Sequence, residues 1–102
     1  MTETREVLIK ARAVIASEDN WCRYTFARDK YNGAVSPDSV NAVQFCALGA
    51  VHKVARFIKF QEAQDLLNAA ANRVGGIMAV NDQLSHGRVL QTFDKAIEMA
   101  SE

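Results

Sequence analysis

The side chains able to ligate a metal or act as a strong nucleophile are Cys22, Cys46, His52 and His86. No two of them stand at C-x-x-C or H-x-x-x-H spacing, by which one local element presents two ligands together. The spacing therefore predicts no metal site, and nothing in the chain calls for a cofactor. A cysteine nucleophile needs a base beside it. Cys46 and His52 are six residues apart, which on one helix points them ~120° away from each other. Cys46 also has apolar neighbours, where a thiol is inert. It is expected to be buried and quiet, with serine a costlier replacement than alanine, since a hydroxyl buried without a partner costs ~1–3 kcal/mol.

Other chemistries find little support. Gly75-Gly76 is not followed by the G-K-S/T of a phosphate loop. His52, Lys53, Arg56 and Lys59 place three basic groups (52, 56 and 59) on one helical face, which reads first as a solvated surface. Twelve basic residues balance twelve acidic ones, so duplex DNA is not an expected partner. Asp29 and Asp82 are the best-placed loop acids for acid–base work. The polar groups of the irregular segments remain. Trp21, Arg28, Asp29, Asn81 and Asp82 together offer an indole, a planar donor fork and carboxylate acceptors. These five are the candidate binding residues. The competing reading is that Arg28 pairs with Asp29 or Asp82 and pins the loop to the last helix.

The elements that must position them follow from apolar period. Val7, Leu8, Ala11, Val14 and Ile15 form one stripe of a helix over about 4–17. Cys22, Tyr24 and Phe26 alternate with polar or small residues, which predicts an extended piece with one apolar face. Asn32-Gly33 is a turn signal, so 21–36 reads as a tiny hairpin or an ordered loop. Ser36-Pro37-Asp38 resembles a helix start. The stripe Val40, Val43, Ala47, Leu48, Val51, Val54 then predicts a central helix over about 37–57. Its small residues, Gly49 among them, suit close approach by a neighbouring helix. A third helix is predicted over 60–74, closed by Gly75-Gly76, and a last one over about 86–100 behind a Ser85 cap. Residues 77–80 form an apolar run too short to classify, and Asn81-Asp82 reads as a turn or cap. The fold class is mainly α: a compact bundle of about four helices with an irregular segment at 21–36, in one domain over 1–102.

These segments resemble a family of small uncharacterised proteins of bacteria and their phages. The resemblance rests on Trp21, Ala27-Arg28-Asp29, Asn32-Gly33, Pro37-Asp38, Cys46-Ala47-Leu48-Gly49-Ala50 and Asn81-Asp82, and covers about 7–98. Phe45 and Val80 stand where members often carry tryptophan. The resemblance implies a compact helical fold and brings no biochemical activity with it.

Composition sets the remaining bounds. With 102 residues, 49% of them hydrophobic, the chain can build one core but not two, and a self-associating surface would add stability. No apolar run reaches the ~18 residues of a membrane span. Met1–Lys10 lacks the apolar stretch of a signal peptide, so the expected location is the cytoplasm, with both cysteines reduced. The first functional expectation is an interaction or regulatory module with a protein partner, of phage or prophage origin. The alternatives are a binder of small molecules or nucleotide metabolites, and an enzyme using Cys46 or Asp82.

Overall fold

Leu8, Ala11 and Ile15 sit three and then four residues apart, and all three are fully buried. They lie on or just past α1 (Thr2–Val14), which packs against three other helices. A computed structural model describes residues 2–55 and 57–100, leaving aside the side chains of Thr2 and Phe57. The other helices are α2 (Ala47–Val54), α3 (Phe57–Ala70), α4 (Ile77–Gln83) and α5 (His86–Ala100). Val51 from α2, Ala63 and Leu67 from α3, Ile77 and Val80 from α4, and Val89, Phe93 and Ala96 from α5 close the same core. The amphipathic period of α5 survives intact, and Ser85 Oγ accepts from the Arg88 N–H as its cap. Gly75 and Gly76 both have positive φ, the conformation that ends the α3 region at low cost to glycine.

Three features differ from the sequence reading. The run at 77–80 is the body of a fifth helix, and Asn81 and Asp82 form its last turn. It is seven residues long, too short for periodicity to reveal.

The second difference is the central helix. It spans Ala47–Val54 and not 37–57. Ser36 Oγ accepts from the Asp38 N–H and Ser39 Oγ from the Asn41 N–H, so local side-chain turns occupy the backbone that a helix would have used. Val40 is 98% exposed and Val43 46%, so these members of the apparent stripe never reach the core.

The third is a small sheet. Strands β1 (Ala27–Arg28), β2 (Ala34–Val35) and β3 (Gln44–Phe45) run in the order β2-β1-β3, antiparallel throughout. Ala27, Val35 and Phe45 share a register and face inward; Arg28, Ala34 and Gln44 lie on the outer face. The expected apolar face of Cys22, Tyr24 and Phe26 does not form: Cys22 is buried, whereas Tyr24 is 72% exposed and Phe26 48%. Tyr24 has a φ of 72°, which breaks the alternation at its centre. The basic face of 52, 56 and 59 falls partly outside the described residues, since it includes Arg56.

Candidate functional site

The sheet docks on the start of α2 through one close approach. A Cβ built on Gly49 would lie 1.9 Å from the Phe26 carbonyl oxygen. Glycine is thus required by β-segment backbone, and not by a neighbouring helix. Cys46 is the N-cap of α2: its Sγ accepts from the Gly49 N–H at 3.3 Å, and its own N–H donates to Phe26 O at 3.1 Å. Burial pushes the Cys46 thiol up to about 11, against the opposing pull of the Gly49 N–H. At neutral pH it is a buried thiol that holds a helix end. Cys22 is also raised by burial, with the Arg28 guanidinium beside it pulling the other way.

Asn81 is the hub of the segment. Fully buried in the last turn of α4, its Oδ1 accepts from Trp21 Nε1 at 2.7 Å and from the Ala47 N–H at 2.9 Å. Its Nδ2 donates to Cys22 O at 3.1 Å and to Asp82 Oδ1 at 3.0 Å. Every polar atom of the side chain is used, which marks a closed structural network. Asp82 Oδ1 also accepts from the Tyr24 N–H, at 3.1 Å. Asp29 is taken up by its own loop, its Oδ1 accepting from the Tyr31 and Gly33 N–H groups. Such contacts hold a turn in place and leave the acid little freedom for catalysis.

Arg28 makes no ion pair with Asp29 or Asp82, against the pinning expected from sequence. Its Nη1 donates to Asn32 O at 3.1 Å and its Nη2 to Arg23 O at 3.0 Å. Arg23, absent from the sequence-based candidates, does the pinning to α4. Its Nε donates to Asn81 O at 3.2 Å and its Nη2 to Leu84 O, carbonyls at the C-terminal end of that helix. The same guanidinium lies 4.8 Å above the Trp21 ring. Lack of any spacing motif hid it; only the fold brings residue 23 to residue 84. On the other flank His86 tilts against Trp21 at 5.3 Å, and its Nε2 is 2.6 Å from Ile15 O. Because a carbonyl can only accept, that nitrogen carries the proton.

Of the five candidates, Trp21 and Arg28 line an open cleft of about 400 Å³, together with Arg23, Tyr24, Asn32 and Gln44. Asn81, Asp82 and Asp29 do not line it. A second groove, of about 300 Å³, runs between Tyr31, Val40 and Val43, with Asp29, Lys30 and Asn41 around it. Among the described residues no group of three or more His, Cys, Asp or Glu could hold a metal ion. None of the described helices is long and apolar enough to cross a membrane.

Neither the curated proteins nor the solved structures contain a significant match to the chain. Over residues 1–99 the sequence matches the Family of unknown function (DUF6197), and the chain belongs to that family.

Proposed function

We propose that the chain is a protein-interaction module whose working surface is the irregular segment between α1 and α2. One observation carries this reading. Of the eight large hydrophobic side chains left exposed among the described residues, five (Tyr24, Phe26, Tyr31, Val40 and Val43) fall within residues 24–43, while Ile9, Ile58 and Val74 are scattered. Tyr31 is 80% exposed and Val40 98%, and these two with Val43 flank the same groove. Tyrosine is among the residues that dominate protein–protein binding energy, and apolar groups beside it add area that a partner can bury. A rigid base supports them: Asp29 holds the tip of the hairpin, and β3 ties the far end of the segment to β1. A partner protein that inserts one apolar side chain between Tyr31 and Val40 fits this surface.

The test compares baits. Wild type, Tyr31→Ala/Val40→Ser and a control, Val74→Ser in the turn between α3 and α4, are used for affinity capture and reciprocal capture. The expected result is a protein retained by wild type and by the control, and lost with the double variant at unchanged melting temperature. Retention by all three baits removes the proposal. Association of the chain with itself, broken by the same double variant in sedimentation experiments, replaces the partner by a second copy.

A further inference from the structure

The cleft beside Trp21 differs from the apolar groove in its charge. Arg23 and Arg28 both line it. A guanidinium carries five N–H donors, and the protein groups around these two are uncharged: four backbone carbonyls, the Trp21 ring under Arg23 and the Cys22 thiol beside Arg28. Those four bonds fix both forks in place without neutralising either charge. Several donors of each fork remain for a ligand. Gln44 and Asn32 add neutral polar groups, and Tyr24 an exposed ring. Glu18 is the acidic residue of the lining, exposed on a short 3-10 turn.

We propose that this cleft is a binding site for a small phosphate monoester, with Arg23 and Arg28 holding the phosphoryl oxygens. Two pre-positioned guanidiniums match a dianion, and their planar forks suit its oxygens. A phosphoryl group carries about two negative charges above its second pKa of ~6. The cleft, at about 400 Å³, has room for an organic substituent beside the phosphate, and Tyr24 is placed to contact it. The site lies apart from the Tyr31–Val40 groove, so the two proposals stand or fall separately.

The chain has a single tryptophan, Trp21, and it lies under Arg23. Its emission therefore reports directly on the site. Phenyl phosphate is titrated at constant ionic strength and slightly alkaline pH, with calorimetry as a second readout. The expected result is a saturable change in Trp21 emission, with inorganic phosphate binding more weakly and benzoate more weakly still. Arg28→Gln is expected to weaken binding about tenfold or more, the effect of losing one charge-assisted contact. Arg28→Lys, which keeps charge but not the fork, falls between. Glu18→Gln removes the opposing charge on an exposed side chain and is expected to tighten binding. It keeps the proposal testable should Arg28→Gln lose its fold. Absence of saturable binding by either readout overturns the proposal. So does unchanged affinity in a folded Arg28→Gln variant, or in Glu18→Gln, or benzoate binding as tightly as phenyl phosphate.

Discussion

The junction where the β-segment meets α2 and the seam where α1 meets α3 are held together by different kinds of interaction. At the junction, position is everything: Asn81 bridges Trp21, Cys22 and Ala47, Cys46 caps α2, and Gly49 lets the Phe26 carbonyl approach. At the seam, apolar burial does most of the work, and the charged groups of its polar contacts stay partly exposed. There Glu62 accepts from Thr4 Oγ1 and pairs with Lys59 at 3.3 Å, while Lys59 also reaches Glu3 at 3.2 Å. A seam of this kind tolerates exchange of one polar group. A junction built from buried, single-solution contacts does not.

The sharpest way to break that comparison is Asn81→Leu. Leucine is of similar bulk but strands the Trp21 indole N–H, the Ala47 N–H and the Cys22 carbonyl in the interior. Each unsatisfied group costs ~1–3 kcal/mol, so the total loss is expected at about 4 kcal/mol or more. Chemical denaturation should show it, and Trp21 emission should shift as its environment opens. A loss below about 1 kcal/mol would mean that Asn81 is not the hub and that the junction is as tolerant as the seam.

Gly49→Ala ranks next. Alanine gains ~1 kcal/mol of helix propensity at an ordinary interior site. Here its Cβ must displace the Phe26 backbone, which belongs to the segment pairing with Cys46. A net loss of about 3 kcal/mol is expected, with separation of the β-segment from α2 visible as faster amide exchange at Cys46. A stabilised Gly49→Ala variant would put the contact itself in doubt.

How much of this was legible follows from the same division. Residues that pack helix on helix announce themselves by period: Leu8, Ala11 and Ile15 along α1, or Val89, Phe93 and Ala96 along α5, read as one helix face. Junction residues do not. Cys46 reads as one more small apolar residue in a stripe, because a cap is defined by where a helix begins, and Val40 and Val43 extend the stripe falsely into exposed turns. Arg23 shows nothing until tertiary contact brings it to the carbonyls of α4. The candidate set was legible as a neighbourhood, since Trp21, Asn81 and Asp82 do come together. Its division into scaffold and cleft was not, because that depends on which polar atoms the fold leaves free.

Cys46 supplies a finer comparison, and it reverses the sequence expectation. A buried hydroxyl with no partner is costly, but at this position serine finds the Gly49 N–H that Sγ already engages. Serine is also a strong N-cap. Cys46→Ser is therefore expected to lie within about 1 kcal/mol of wild type, and Cys46→Ala to cost about 1 kcal/mol more than serine through loss of the cap. Thermal melts of the two variants side by side decide the order. Alanine above serine would return Cys46 to the role of plain core filler.

The smallest effect belongs to the seam, and pH reads it. The Thr4 hydroxyl and the Lys59 ammonium hold the Glu62 carboxyl below the usual carboxylate range, and Glu3 and Glu62 hold the Lys59 ammonium above the usual lysine range. A depressed acid contributes stability above its unfolded pKa and loses it as pH falls through the lowered folded value. A raised amine contributes fully below its unfolded pKa and loses it as pH rises through the raised folded value. The seam should therefore be steady across neutral pH and weaken at both extremes, first in acid below the ordinary glutamate range and then in alkali above the ordinary lysine range. All three charged side chains are more than a third exposed, so salt should flatten the dependence. The measurement is melting temperature against pH for wild type and Glu62→Gln at low and high salt. The difference between the two proteins should shrink in acid and shrink again with salt. A difference that is independent of both would show that Glu62 acts at this seam through packing and not through charge.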